Sequence, residues 1–432
     1  MSKLRLDATL VYLFIEFAAS ASFSMMFVVT SLYQVTVAGL SPLQLVLVGT
    51  AWEASAFLFE VPTGIVADAY SRRLSIIIGY LLMGIGFMVE ALFPAFLPIL
   101  LAQVIGSLGY TFTSGATQAW ITDEIGEEPA NRLFLRAAQV GLFAAFLGMG
   151  AAGLVGANNV VLPLRVGALA VILIGVALIF IMPETGFTPL PREDRNTWQH
   201  MTFTFRQGVQ AVRSRPHLTS LVWVGLFYGL YSEGFDRLWV KHLLDNFNVP
   251  VLFGNNQVAF LALLRMAGTL LTMLTLRFVE KRVDTSSSRA IGRSMLWVTG
   301  FISAAIIGFA LSPVLGLSLG LYLVFYILRN TASPLQTAWI NQKLDPQVRA
   351  TVHSMFGQVD AIGQVAGGPS VALIAHFFPV AAAISASGLL LTPAWFFIQR
   401  ANGLPDEGLP PATEAGTDLQ AKAGEPGNAP AR

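Results

Sequence analysis

The sequence predicts an all-α polytopic membrane protein with twelve transmembrane helices in two pseudo-symmetric six-helix halves. Three observations support this fold class: an apolar composition, a regular spacing of apolar segments, and a repeat between the halves. Apolar residues make up 54% of the 432 residues and charged residues only 12%, against roughly 25% charged in a soluble domain. A water-soluble fold of this size cannot bury so many apolar side chains, so lipid must cover much of the surface.

Twelve apolar segments are long enough to cross the hydrocarbon core, which takes about 20 residues. Most are joined by short turns that contain Gly, Pro or Asn. We predict spans at 8–34, 42–67, 74–93, 95–121, 134–156, 160–182, 217–242, 254–278, 290–311, 313–340, 351–376 and 378–400.

Two hydrophilic stretches divide the chain. A first six-helix half at 1–182 is followed by a central loop at 183–216, and a second six-helix half occupies 217–400. The tail at 401–432 is rich in Pro, Gly, Ala and Glu and poor in large apolar residues. It is therefore predicted to be a disordered tail.

The distribution of basic residues predicts the orientation. If the N-terminus is cytoplasmic, most of the 26 Lys and Arg residues fall in the inner segments, as the positive-inside rule requires. An even number of spans then places both termini in the cytoplasm. We expect a multi-pass protein of the plasma (inner) membrane, surrounded by lipid and monomeric.

A short repeat relates the two halves. The tripeptide Ala-Trp-Ile at 119–121 recurs at 338–340, and Gln-Val at 139–140 recurs with the same offset at 358–359. Both copies place the tripeptide at the inner end of an even-numbered span. Two repeats joined by a long loop are typical of secondary transporters, whose site lies between the repeats near the middle of the membrane.

The loop after the second span carries a compact motif, Gly-Ile-Val-Ala-Asp-Ala-Tyr-Ser-Arg-Arg, at 64–73. Gly64 would let two helices approach closely, and Asp68 would meet nearby cations or a helix N-terminus. Arg72 and Arg73 would hold the loop at the anionic inner leaflet. An alternative is that the two arginines serve only to fix the topology.

This motif resembles the signature loop of the major facilitator superfamily, and the arrangement of spans extends the resemblance over nearly the whole chain. Within that superfamily the chain looks most like the twelve-helix drug-efflux proton antiporters. The resemblance implies transport by alternating access. It also implies that Asp68 and Arg72 belong to a cluster that closes the cytoplasmic side in the outward-facing state.

Ionisable groups inside the spans are the candidate coupling residues, because each costs at least about 2.5–3.5 kcal/mol to insert. Glu53 and Glu60 share a face of the second span, and Glu53 near its centre could bind and release a proton. A permanently protonated or hydrogen-bonded carboxyl that ties two helices together is the alternative. We favour a structural role for Glu60, which precedes Pro62. The candidate proton-coupling acids are Glu53, Glu60, Asp360 and Glu233.

The intramembrane cations are Arg265 and Arg329. Adjacent spans suggest a salt bridge between Arg329 and Asp360, and a similar one between Arg265 and Glu233. Each bridge could be static, or it could open when the acid is protonated or an anion binds, which requires different affinities in two conformations. The neighbouring charges Asp236 and Arg237 are interpreted as rim charges at the outer surface.

These features favour a secondary transporter over an enzyme. No phosphate-binding loop, His-Glu-x-x-His motif or cysteine is present, so neither a catalytic site nor a cofactor or metal is predicted. A net charge of +1 argues against nucleic acid as a partner. The first hypothesis is a proton-coupled exporter of small lipophilic compounds held by aromatic side chains. The alternatives are an importer or facilitator of a small metabolite, for example an anionic one held by Arg265 or Arg329, and a non-transporting receptor or assembly factor.

Overall fold

The structure is a computed structural model that describes residues 6–188, 209, 212–213, 215–249, 256–284, 287–342 and 349–404. Its first part contains the helices α1 (Ala8–Thr36), α2 (Pro42–Ala69), α3 (Arg72–Leu92), α4 (Phe96–Thr113), α5 (Ala116–Ile125), α6 (Glu127–Val155) and α7 (Val161–Ile181). The second part contains α8 (Pro216–Asn246), α9 (Gln257–Arg282), α10 (Ser288–Leu311), α11 (Leu315–Asn341), α12 (Arg349–Phe377), α13 (Val380–Leu390) and α14 (Thr392–Gly403). The predicted disordered tail beyond 404 and most of the predicted central loop lie outside the described residues.

Among the described residues, ten helices are long and apolar enough to cross a membrane when α4 and α5, and α13 and α14, are each taken together. They correspond to ten of the predicted spans, so the chain is an all-helical multi-pass membrane protein. The other two predicted spans are α8, with 31 residues, and α12, with 29 residues. Both are long enough to cross, and both carry the charged side chains that are described below.

Two predicted spans are interrupted in the structure. The fourth is divided between α4 and α5 at Gly115, whose φ of +71° favours glycine. The last is divided between α13 and α14 near Pro393, which has no N–H to donate to the carbonyl of Leu389. The hydroxyl of Thr392 donates to that carbonyl instead, at 2.7 Å. Backbone chemistry at single residues therefore explains why each span is two helices.

Hydrogen bonds between distant residues show how the helices are aligned. Leu6, just before α1, donates its N–H to the carbonyl of Ile181 at the end of α7. His217 at the start of α8 bonds the carbonyl of Ala401 near the end of α14. We call the side where α1 begins the proximal face and the side where α1 ends the distal face. Both sets of helices begin and end at the proximal face.

The same helix pairs pack in both parts of the chain. In the first part α1 packs against α6 and α7, and α3 packs against α4 and α7. In the second part α8 packs against α12 and α13, and α10 packs against α11 and α13. The two parts meet through α2 with α12 and through α6 with α9. These two contacts are equivalent under the predicted repeat, which pairs α2 with α9 and α6 with α12.

The repeated Ala-Trp-Ile tripeptides occupy equivalent sites. Trp120 and Trp339 are both fully buried at the proximal ends of α5 and α11. Trp120 donates its indole N–H to the carbonyl of Pro183, and Trp339 donates to the hydroxyl of Ser288, each at 2.8 Å. Because buried indole N–H groups need an acceptor, each tryptophan ties the proximal end of one helix to a neighbouring segment.

Candidate functional site

A cavity of about 500 Å³ lies between the two parts of the chain. Its walls combine charged, amide and aromatic side chains from α1, α2, α3, α4, α8, α9 and α11. The lining side chains include Phe27, Thr30, Trp52, Glu53, Phe87, Gln103, Asp236, Arg237, Trp239, Arg265, Tyr322, Phe325, Tyr326, Arg329 and Asn330. We call it the central cavity. Several of these side chains are aromatic, the type that the first hypothesis assigns to a site for lipophilic compounds.

Two ion pairs cross or border the central cavity. The Arg237 guanidinium lies 3.2 Å from the carboxylate of Glu233 one turn away on α8, and the Glu233 side chain is only 4% exposed. Arg329 on α11 forms an ion pair with Asp236 on α8. Its guanidinium also lies over the rings of Tyr231 and Phe325. Asp236 and Arg237, interpreted from the sequence as rim charges, are therefore part of the cavity wall.

Neither predicted salt bridge is formed. Glu233 pairs with Arg237 instead of Arg265, because the two residues are four apart and share a helix face. Arg329 pairs directly with Asp236 instead of Asp360. The second outcome depends on the rotation of the helices about their axes, which apolar spacing alone does not fix.

Glu53 is placed as the sequence predicted, in the middle of α2 and on the wall of the central cavity. Among the described residues its carboxyl has no hydrogen-bond or ion-pair partner. The charges nearest to it in the wall are those of the Glu233–Arg237 pair, since a Cβ at Gly49, one turn from Glu53, would lie 2.0 Å from Glu233 and 2.2 Å from Arg237. Glu53 is thus an unpaired carboxyl on the wall of the central cavity.

The other predicted acids have different surroundings. Glu60 accepts a hydrogen bond of 2.6 Å from Gln358 on α12, so it joins the two parts of the chain. Gln358 is one of the residues that the sequence repeat identified. Asp360 accepts from Gln364 at 2.7 Å and lines a second, more proximal cavity of about 590 Å³. The two cavities share Arg329 and Asn330, which therefore stand between the central cavity and the proximal face.

Sequence reasoning missed Glu90, which lies at the distal end of α3 and is completely buried. Its two carboxyl oxygens accept hydrogen bonds from the amides of Gln34 and Gln103, each at 2.8 Å. Gln103 also lines the central cavity, so this buried carboxyl is one side chain away from it. An acid inside the predicted third span was the signal that could have identified it.

The motif loop between α2 and α3 is held by acids from the same part of the chain. Arg72 lies 3.0 Å from Asp123 at the end of α5 and 3.8 Å from Asp68. The Glu184 carboxylate accepts from the backbone N–H of Arg73 at 2.9 Å. The Arg73 guanidinium donates to the carbonyl of Ile179 at 2.6 Å. The predicted cluster of Asp68, Arg72 and Arg73 is thus assembled at the proximal face.

Gly64 does not have the predicted role in this conformation. No heavy atom lies within 4 Å of a Cβ built at Gly64, and the same is true of Gly357 on α12. Close approach of helices therefore does not explain either glycine here. Both positions border open space on the proximal side.

The two parts of the chain are in close contact on the distal side. A Cβ at Gly153 would lie 3.6 Å from that of Ala262, and a Cβ at Gly368 would lie 2.1 Å from the hydroxyl oxygen of Thr50. Asn256 donates to the carbonyl of Gly153 at 2.8 Å. The distal face is therefore closed, whereas no neighbouring segment packs against Gly64 of α2 or Gly357 of α12 on the proximal side.

Comparisons with known proteins identify the family of the chain. The family model of the Major Facilitator Superfamily matches residues 12–368. An uncharacterized MFS-type transporter, YxaM of Bacillus subtilis (strain 168), is 22% identical over 349 residues, which cover 79% of this chain and 82% of that protein.

Solved structures show the same fold. The nucleoside transporter NupG superposes with a TM-score of 0.72 at 14% identity, covering 93% of this chain and all of that chain. A bacterial homolog to the human lysosomal transporter Spinster, in an inward-facing and unoccupied conformation, gives a TM-score of 0.69 at 16% identity over 91% of this chain and 96% of that one. These identities support the fold only. The family match over most of the sequence shows that the chain is a transporter of the Major Facilitator Superfamily.

Proposed function

We propose that this protein is a secondary active transporter that works by alternating access and couples the movement of a small solute to the movement of protons. The observation that carries the proposal is the free Glu53 carboxyl in the wall of a cavity between the two parts of the chain. A membrane protein retains an unpaired carboxyl at this depth only at a cost, so a functional role is the default expectation. Proton binding at Glu53 would differ between the two conformations and would therefore shift their populations.

The proposed architecture is that of the sequence analysis. Residues 1–182 and 217–400 would be two six-helix halves. The helices α8 and α12 would cross the membrane together with the ten apolar spans, which brings the total to twelve. The basic residues near the proximal face support a cytoplasmic location for that face and for both termini. We propose a monomer in the plasma membrane, bounded by lipid. The described conformation would then be open to the cytoplasm.

Two coupling modes follow from the cavity wall, and they predict opposite proton movements. The aromatic side chains favour a solute with apolar surface, as expected for an exporter of lipophilic compounds. In that mode the solute and the proton compete for the cavity, so they cross in opposite directions. The arginines favour the alternative, a small anion. Protonation of Glu53 leaves the cavity more positive, so an anion and a proton would cross together.

Reconstituted vesicles with an internal pH indicator would test the proposal. Lipophilic amines, neutral lipophilic compounds and organic anions are added in turn, and proton movement is recorded. We expect at least one class to drive proton flux, and Glu53→Gln to abolish that flux while solute exchange without a gradient continues. Proton entry with the solute would indicate cotransport, and proton exit would indicate exchange.

Glu128→Gln is the matched control, because Glu128 is an exposed acid paired with Arg132 on the first turns of α6. It should behave as the wild type. Unchanged proton flux in Glu53→Gln would contradict the proposed coupling residue. Solute flux without proton movement in the wild type would contradict proton coupling altogether.

A further inference from the structure

The three arginines of the central cavity differ in their partners. Arg237 is paired with Glu233, and Arg329 is paired with Asp236. Arg265 of α9, which also lines the central cavity, forms no ion pair with any residue in the described part of the chain. Its Nε is buried and donates no hydrogen bond.

Aromatic rings support Arg265 without satisfying its donors. The guanidinium lies 5.9 Å from the ring centre of Trp239, and Trp239 is stacked on Tyr322 at 4.4 Å. A ring face attracts the cation but accepts none of its five N–H groups through an oxygen atom. The guanidinium therefore retains donors directed toward the cavity, on a helix that is apolar enough to span the membrane.

The charges around the cavity balance only while Glu53 is ionised. The wall carries Arg237, Arg265 and Arg329 against Glu53 and Asp236, and Glu233 lies directly behind Arg237. When Glu53 holds a proton, this set carries one positive charge in excess, and Arg265 is its arginine without an ion pair among the described residues. An unpaired cation at this depth in a membrane protein is costly, and a bound anion would relieve that cost.

We infer that Arg265, backed by Trp239 and Tyr322, is the binding site for the anionic group of the solute, which is a small organic monoanion with an apolar body. A carboxylate matches the guanidinium fork with two parallel hydrogen bonds. The apolar body would contact the aromatic wall, where Trp52 and Phe87 face the cavity from the opposite part of the chain. The inference rests on the proposed transport function, because it assumes that this cavity is where the solute binds.

Binding to the purified full-length protein tests the inference without any transport measurement. Isothermal titration calorimetry in detergent compares three probes that share a naphthalene ring. Naphthoate is an anion, naphthalenemethanol is neutral, and naphthylmethylammonium is a cation. We expect the wild type to bind naphthoate at least about tenfold more tightly than either analogue. Arg265→Gln should lose that preference, and Arg265→Lys should keep part of it because the charge remains while the fork is lost.

Arg277→Gln is the matched control, since Arg277 is an exposed arginine nearer the proximal end of the same helix. It should keep the full preference. Asp236→Asn provides a second arm that leaves Arg265 intact. It releases Arg329 from its ion pair, so naphthoate affinity should rise.

Equal binding of the three probes by the wild type would overturn the inference, as would naphthoate binding that Arg265→Gln leaves unchanged. Reduced naphthoate affinity in Asp236→Asn would also contradict it. Because these measurements record binding alone, any of these three failures would leave the vesicle experiment on Glu53 to be judged separately. Conversely, loss of proton coupling in the vesicles would leave the anion preference measurable.

Discussion

At the scale of single residues, most intramembrane charges in the described chain have an identified partner. Four of the acids contact a specific cation or amide, namely Glu233, Asp236, Glu60 and Asp360. Glu53 and Arg265 are the two cavity-lining charges without a direct partner among the described residues. Partnered charges hold helices in place, whereas unpartnered ones remain available to a proton or a solute.

The buried Glu90 is predicted to act as such a structural group. Replacing it with Leu would leave the Gln34 and Gln103 amides without acceptors, at a cost of about 1–3 kcal/mol for each buried group. Glu90→Gln keeps the shape and can still bond an amide, so its effect should be much smaller. Thermal unfolding of the purified variants measures both, and a Glu90→Leu protein as stable as the wild type would contradict this role.

The residues of the site were largely predictable, but their pairing was not. The cost of charge in a membrane selected Glu53, Glu233, Arg265 and Arg329 from the sequence. The partner of each depends on helix rotation, which apolar spacing leaves open. The Glu233–Arg237 pair is the exception, because the spacing of four residues on one helix already favours it.

At the scale of helices, glycines mark the closest contacts. A Cβ at Gly148 on α6 would lie only 2.1 Å from the carbonyl oxygen of Ala21 on α1. A Cβ at Gly367 on α12 would lie 2.2 Å from that of Leu230 on α8. At both positions only a glycine lets the two helices approach this closely. The equivalent helix pairs of the two parts are packed in the same way.

Neighbouring glycines on α6 provide a matched test of this packing. Gly148→Ala should destabilise the protein, because its methyl group would collide with backbone that cannot move without separating α1 from α6. Gly150 has no heavy atom within 4 Å of a built Cβ. Gly150→Ala should therefore be neutral or slightly stabilising, since alanine favours the helix by about 1 kcal/mol. Equal melting temperatures for the two variants would contradict the packing account.

Helix positions were more predictable than helix continuity. Long apolar segments identify the spans because every crossing helix must expose apolar side chains to lipid. The breaks at Gly115 and near Pro393 depend on one residue each, and an isolated glycine or proline within an apolar run is often tolerated. The two long helices that are not among the ten apolar ones are α8, which lines both cavities, and α12, which lines the more proximal one. Their lower hydropathy therefore reflects their position beside the cavities.

At the scale of the whole molecule, we propose that the distal face opens as the proximal face closes. The described conformation has a closed distal face, with Gly153 against Ala262, and open space beside Gly64 and Gly357. In the opposite conformation Gly64 would gain neighbours and the motif loop would meet the second part of the chain. Gly64 would then have the packing role that the sequence predicted.

Distances between spin labels on the two faces test this claim most directly, and the chain has no cysteine of its own to remove. One label pair replaces the exposed Arg132 and Glu280 at the proximal ends of α6 and α9. The other replaces the exposed Asn158 and Phe378 on the distal side. Double electron–electron resonance is recorded for both pairs, with and without Glu53→Gln.

We predict two distance populations for each label pair. Glu53→Gln, which mimics the protonated carboxyl, should change their ratio in opposite directions at the two faces, so that one distance shortens as the other lengthens. A single distribution at both faces, unchanged by Glu53→Gln, would contradict alternating access controlled by this carboxyl.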